Sequence, residues 1–288
     1  MRLIMTTVYL NGEFKPLSTA SINILDRGFI FGDGVYEVIP IFNRIIFCFD
    51  EHMNRLENSL EAIFMDNPYT SNQWRSIFEE LIDTIEESEQ SIYLQITRGV
   101  SERDHDIKIA DKPTIFVMSR PIEKKNFSVG INAITHEDIR WQYCDIKAIT
   151  LLPSVLLRHK AREQGAKEAI LIRDGYITEG AASNVFVCKN DEVLTPLKSK
   201  HVLPGITRDL VIEILANNKI TYLETTISEK DLLNADEVWI TSSTWEIVPV
   251  TQLNNLPVGT GETGALWQEL ISFIRNLNLF TVNNYGNI

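Results

Sequence analysis

The strongest constraint on this chain is a change in apolar spacing on either side of a short polar stretch, Pro121-Ile122-Glu123-Lys124-Lys125-Asn126. Before it the pattern is hairpins followed by helices. Val8-Tyr9-Leu10 and Glu13-Phe14 flank Asn11-Gly12, a pair that accepts positive φ at both centres of a type I′ turn. Val35 to Phe42 and Ile45 to Phe49 flank Asn43-Arg44 as a second hairpin. Leu56, Leu60, Ile63 and Phe64 fall on one face of a helix predicted over 51–64; a second helix is expected over 72–87, then strands over 91–98 and 114–119. Beyond the stretch, strands at 130–134, 169–173, 176–178, 184–188 and 237–240 alternate with helices at 154–164, 207–217 and 266–277. The last helix carries Leu266, Leu270, Ile274 and Leu277 as one stripe. At about 100–200 residues per domain, 288 residues and this switch predict an α/β (α+β) protein of two domains: a smaller one over 1–119, a linker over 120–126 and a larger one over 127–288.

Composition narrows the partners. Hydrophobic residues are 44% and charged residues 23%, as in ordinary folded chains. The net charge of −12 has no basic cluster to offset it, which argues against nucleic acid or an anionic membrane as partner. No apolar run approaches the ~18 residues of a membrane span, and Met1 to Thr6 lacks the apolar core and cleavage site of a signal peptide. Cys48, Cys144 and Cys188 are widely spaced and include no C-x-x-C, so neither a disulfide framework nor a zinc site is expected and a cytoplasmic setting fits.

No G-x-x-x-x-G-K-[ST], H-E-x-x-H or G-x-S-x-G occurs, so phosphate-loop, zinc-protease and hydrolase readings lose their support. Polar residues at the ends of apolar segments remain. Lys147, bounded by Ile146 and Ala148, either snorkels to the surface or is partly desolvated, which would lower its pKa toward that of an amine nucleophile. Glu179 precedes Gly180-Ala181-Ala182-Ser183, small residues that admit a flat ligand; it is either a partner for a protonated ring nitrogen or a charged turn residue. Gly205-Ile206-Thr207 opens a helix whose first amides can bind an anion, and Thr241-Ser242-Ser243-Thr244 adds hydroxyls after a strand. Arg55 supplies charge, or else pairs with Glu51 one turn away. The polar loop over 99–112, with Arg103 and His105, is long enough to suggest a functional role.

Taken together, Glu51-His52-Met53-Asn54-Arg55-Leu56, Cys144-Asp145-Ile146-Lys147, Thr178-Glu179-Gly180 with Ser183-Asn184-Val185-Phe186, Gly205-Ile206-Thr207-Arg208 and Thr241-Ser242-Ser243 resemble, in order and spacing, fold-type IV pyridoxal-phosphate aminotransferases. Asp26-Arg27-Gly28, Phe31-Gly32-Asp33-Gly34-Val35-Tyr36-Glu37 and Thr97-Arg98-Gly99 with Arg103 and His105 are similar to the D-amino-acid (D-alanine) branch. The resemblance implies pyridoxal 5′-phosphate at the domain interface and a homodimer. It implies that Lys147 holds the cofactor covalently and moves the proton at the substrate Cα, and that Glu179 pairs with the pyridine nitrogen. Arg55, the Ile206 and Thr207 amides, Ser242 and Ser243 are then expected to bind the phosphate. Tyr36, Arg103 and His105 are expected to take the substrate carboxylate. Small amino acids and 2-oxo acids are the implied substrates, with D-alanine and 2-oxoglutarate going to pyruvate and D-glutamate. A branched-chain L-amino-acid aminotransferase and an aminodeoxychorismate lyase share this fold and stay open. Ala181 and Ala182 stand where serines often follow the Glu-Gly pair, Pro204 where the D-branch can have lysine, and Trp245 follows the hydroxyls; these departures bear on substrate range more than on reaction type.

Overall fold

The computed structural model describes residues 6–107, 112–123 and 126–276. Parts of the sequence reading lie outside them: Met1 to Met5, Lys108 to Asp111 of the polar loop, Lys124 and Lys125 of the linker, and Leu277 of the last stripe. The chain divides into two compact units, residues 1–122 with 146–150, and 123–145 with 151–288. Residues 146–150, and Lys147 with them, group with the first unit although the residues that flank them belong to the second.

The first unit contains strands β1 (Thr7–Leu10) and β2 (Glu13–Pro16), helix α1 (Arg27–Phe31), strands β3 (Gly34–Phe42) and β4 (Ile45–Ile46), helices α2 (Phe49–Ala62) and α3 (Ser71–Asp83), and strands β5 (Gln90–Thr97) and β6 (Thr114–Pro121). Its antiparallel sheet runs β2-β1-β6-β5-β3-β4. Both hairpin turns have positive φ at their two centres, 51° and 98° at Asn11-Gly12 and 50° and 65° at Asn43-Arg44. The alternation of β3 sends Val35, Ile39 and Ile41 into a core with Leu56 and Leu60 of α2 and Trp74 and Phe78 of α3. Glu37 lies in that same inward row and is fully buried.

Two elements end earlier than expected, for visible reasons. Strand β4 stops at Ile46 because Cys48 turns into the left-handed region (φ 49°) and Phe49 already begins α2. Helix α3 stops at Asp83, not Glu87: Gln90 Nε2 and Arg44 both donate to the Ile82 carbonyl in its last turn, and also to the oxygens of Glu87 and Ile85 just beyond it.

The second unit contains β7 (Ile131–Glu137), α4 (Leu152–Glu163), β8 (Glu168–Arg173), β9 (Tyr176–Gly180), β10 (Asn184–Lys189), β11 (Glu192–Pro196), α5 (Ile206–Asn217), β12 (Tyr222–Thr225), α6 (Glu229–Leu233), β13 (Glu237–Ser242), β14 (Glu246–Leu253), β15 (Leu256–Pro257) and α7 (Ala265–Asn276). Its mixed sheet runs β12-β11-β10-β13-β14-β7-β8-β9, with β15 on β14. Strand β14, which contains Pro249, is not among the strands expected from the sequence. The missing N–H is tolerated because pairing with β7 begins only at Val250. On α7 the buried face is Trp267, Leu270, Ile271 and Ile274, so Trp267 replaces the half-buried Leu266 in the stripe.

Gly259-Thr260-Gly261-Glu262-Thr263-Gly264 has the spacing of a dinucleotide fingerprint, but its surroundings do not present a phosphate site. The Glu237 carboxylate accepts from the amides of Leu266 and Trp267 at 2.9 and 3.0 Å, capping α7 with a fixed anion, and a Cβ on Gly264 would collide with that same side chain. The glycine therefore makes room for the cap.

Candidate active site

Lys147 sits against the outer edge of β3. Its carbonyl accepts from the Tyr36 amide at 3.0 Å, Ala148 bridges to Val35, and its own amide donates to Ser59 Oγ of α2 at 3.3 Å. The side chain is half-buried, with Nζ 4.5 Å from the centre of the Tyr36 ring. Two expected residues, Lys147 and Tyr36, are thus neighbours.

Arg55, on α2, is buried and turns to Glu37 of β3 instead of to Glu51 on the surface. Its Nε and Nη2 fork onto the two oxygens of Glu37, each at 2.7 Å, and His52 Nδ1 lies 2.8 Å from Glu37 Oε2. Burial alone would raise the Glu37 carboxyl, but the Arg55 charge and the hydrogen bonds from Arg55 and His52 hold it well below the usual carboxylate range. Burial lowers the pKa of His52, so the neutral ring carries its proton on Nδ1 and donates to Glu37. The helical spacing of His52 and Arg55 puts both over one strand residue. Glu37 and His52 were present in the sequence motifs, yet their pairing was not legible because it joins a strand to a helix.

Arg103 and His105 are exposed, and both lie on the ring of Phe31: the Arg103 Cζ is 5.6 Å and the His105 ring centre 5.5 Å from it. On the outer face of the sheet, Tyr36, Gln95 and Phe116 stand in one cross-strand row. A cleft of about 340 Å³ adjoins that row, lined among others by Asp26, Phe29, Gln95, Thr97, Phe116 and Ile149.

In the second unit Glu179 is the penultimate residue of β9 and buried, a strand residue rather than a turn residue. Its Oε2 accepts from Asn184 Nδ2 and the Leu203 amide, both at 3.1 Å, and its Oε1 from Arg140 Nη1. Arg140 is shared, because its Nε and Nη2 bind the two oxygens of Asp138 at 2.9 Å. Burial raises the Glu179 carboxyl to about 7 against the pull of Arg140, with Asp138 adding a smaller push upward.

Asn184 connects this carboxylate to the expected phosphate residues. Its amide also donates to the Leu203 carbonyl at 2.9 Å, it pairs across the sheet with Thr241, and a Cβ on Gly205 would strike its Oδ1. Gly205, which precedes Ile206 and Thr207, and Thr241, which precedes Ser242 and Ser243, thus both lie against Asn184. Helix α5 opens at Gly205 with no side-chain cap, leaving its first amides to other acceptors, and the buried Thr241 Oγ1 has no hydrogen-bond partner. Asn184 stood inside a recognised motif, whereas Arg140 and Asp138 carried no signal beyond proximity in sequence to Lys147.

Three departures also have locations. Ala181 is buried in an apolar cluster with Leu157, Ala161 and Leu171, where a serine hydroxyl would need a partner; Ala182 is exposed. The Trp245 ring contacts Phe127 (5.5 Å) and the Arg158 guanidinium (5.1 Å) and packs on the core.

With this geometry in place, the family model for "Amino-transferase class IV" matches residues 34–253. The chain belongs to that family. Among class IV relatives, it is 41% identical over 271 residues to the D-alanine aminotransferase of Bacillus licheniformis, covering 93% of this chain and 96% of that one. It is 37% identical over 268 residues to the D-alanine aminotransferase of Listeria monocytogenes, covering 91% and 93%. Its fold is that of solved branched-chain amino acid aminotransferases. The Escherichia coli enzyme gives a TM-score of 0.90 at 24% identity, covering 98% of this chain and 97% of that one. The enzyme of Thermoproteus uzoniensis, solved with norvaline, gives 0.86 at 24%, covering 97% of each chain. Among the described residues no helix is long and apolar enough to cross a membrane.

Proposed function

We propose that this class IV aminotransferase moves the amino group of D-amino acids such as D-alanine to 2-oxoglutarate, with pyridoxal 5′-phosphate as cofactor. The observation that carries the cofactor assignment is the state of the second-unit donors: uncapped amides at Ile206 and Thr207, a buried hydroxyl at Thr241 lacking a partner, and a buried carboxyl at Glu179 with raised proton affinity. These match a phosphate and a protonated ring nitrogen. Ser242, Ser243 and Arg55 complete the anion donors, and Lys147 supplies the amine.

Bound pyridoxal 5′-phosphate supplies an electron-accepting ring that stabilises charge at the substrate Cα. The protein does the rest. Lys147 Nζ takes the proton from Cα and returns one during the second half of the exchange. Glu179, fixed by Asn184 and the Leu203 amide, keeps the ring nitrogen protonated. Arg103, His105 and Tyr36 fix the substrate carboxylate, so that only one enantiomer presents its Cα hydrogen to Lys147. The identity to D-alanine aminotransferases over nearly the whole chain supports the D-enantiomer as that substrate. A homodimer and a cytoplasmic setting belong to the same reading, and light scattering on the purified protein tests the first.

The experiment is a paired assay with 2-oxoglutarate as acceptor, D-alanine in one arm and L-leucine in the other. Pyruvate and D-glutamate from the D-alanine arm alone are expected. Turnover confined to L-leucine replaces this reading with the branched-chain one, and pyruvate released together with an aromatic amine, without any amino acceptor, replaces it with the lyase.

A further inference from the structure

Arg103 and His105 extend from a polar loop and are exposed, so burial does not fix where they point. What fixes them lies on α1. Phe31, at the end of that helix, carries three groups around one ring: Arg103, His105 and, at 4.8 Å, the guanidinium of Arg27. Arg27 is four residues before Phe31 and is buried, 5% exposed. Its Nη1 donates at 2.7 Å to the carbonyl of Asp104, the residue between Arg103 and His105. Its backbone amide donates at 2.8 Å to the carbonyl of Gly99, where the loop begins.

Arg27 is itself locked. Its Nε binds Asp33 Oδ2 at 2.7 Å, and the same carboxylate receives Arg98 Nε and Nη2 at 2.8 and 3.0 Å. Arg98 Nη2 in turn donates to the Ile63 carbonyl at the end of α2, at 2.6 Å. The loop also closes tightly: Gly99 has φ 91°, and a Cβ there would strike the Lys112 carbonyl. A rigid chain therefore runs from α2 through Arg98, Asp33 and Arg27 to the one carbonyl flanked by the two exposed anion-binding groups.

We propose that Arg27 is a positioning residue for substrate recognition, setting Arg103 and His105 to one carboxylate geometry through the Asp104 carbonyl and the Phe31 ring. The inference rests on the reading that Arg103 and His105 take the amino-acid carboxylate. Lysine at position 27 keeps the charge beside Asp33, but a single ammonium cannot reproduce the fork that reaches both Asp33 and Asp104. Substrate binding should then suffer while the chemical step is preserved.

The test compares Arg27→Lys, Arg103→Ala and the double variant, each as the cofactor-loaded full chain, with D-alanine as donor. Arg27→Lys is expected to raise KM about 10-fold with kcat within about twofold and the cofactor absorbance unchanged. In the Arg103→Ala background the same change should raise KM by clearly less, about threefold, because of the two groups being positioned only His105 remains. A spectral titration with propionate, a carboxylate that cannot react, should weaken in parallel. If Arg27→Lys does not fold, Phe31→Leu takes its place, since it removes the platform and leaves the Asp33–Arg98 pair intact. Arg103→Ala raising KM while Arg27→Lys leaves it unchanged, or raises it equally in both backgrounds, overturns the positioning role alone. Arg103→Ala leaving KM unchanged overturns the carboxylate reading and the positioning role with it.

Discussion

Each unit buries a glutamate against an arginine, and the two glutamates are driven in opposite directions. Glu37 receives a two-pronged guanidinium plus an imidazole N–H, and these outweigh burial and hold it ionised. Glu179 receives one prong of Arg140, whose other nitrogens serve Asp138, and burial prevails. The lesson is that a buried carboxylate's proton affinity depends on how many anions divide one guanidinium. In the proposed function the contrast is useful. The first keeps Arg55 charged and fixed for an anion; the second stays poised to share a proton with a ring nitrogen.

Breaking the first pair should have the largest effect on the fold. Glu37→Ala leaves Arg55 buried without its counter-charge, and such loss costs about 3–5 kcal/mol, read as a lower unfolding midpoint in urea. Glu179→Gln should lower turnover about 100-fold or more, since a neutral amide cannot keep the ring nitrogen protonated, while the folded state persists; single-turnover kinetics checks it. Asp138→Asn sharpens the contrast from the other side. With the competing anion gone, Arg140 serves Glu179 more fully, and the acid limb that Glu179 contributes to the kcat/KM profile should move down by about one pH unit.

Stability against pH should separate the two groups by sign. Glu37 is depressed, so its contribution is present above the ordinary value of 4.5 and is lost as pH falls below it. Glu179 is raised from 4.5 to about 7, so it favours the fold at the acid end and its contribution is lost as pH rises through that window. Urea midpoints of the cofactor-free protein, wild type against Glu179→Gln, should converge or diverge only between those values. The smallest expected effect is Ala182→Ser. The residue is exposed, and a surface change of this kind alters stability by about 0.5 kcal/mol or less, checked by thermal melting.

Much of the fold could be read from turn chemistry. Asn11-Gly12 and Asn43-Arg44 marked hairpins, and the structure gives positive φ at both residues of each. The same signal was present and unused at Asn190-Asp191 (51° and 62°) and Asn254-Asn255 (53° and 64°), which join β10 to β11 and β14 to β15. Strands β11 and β15 were not expected, because asparagine and aspartate pairs without glycine are weaker hairpin marks. At the site, Lys147, Glu179 and the α5 start stood out because each interrupts an apolar or small-residue run. The groups that govern the charge of Glu179, Arg140 and Asp138, did not stand out, since they come from outside its own strand. Lys147 grouping with the first unit had no signal at all in local sequence.

The central claim is that Lys147 is the amine that engages the cofactor. Borohydride reduction of the pyridoxal-phosphate-loaded protein, followed by peptide mass mapping, tests it most directly. A phosphopyridoxyl mass on Lys147, absent from the Lys147→Ala variant, is the predicted result; stoichiometric label on another lysine, with Lys147→Ala fully active, would contradict it.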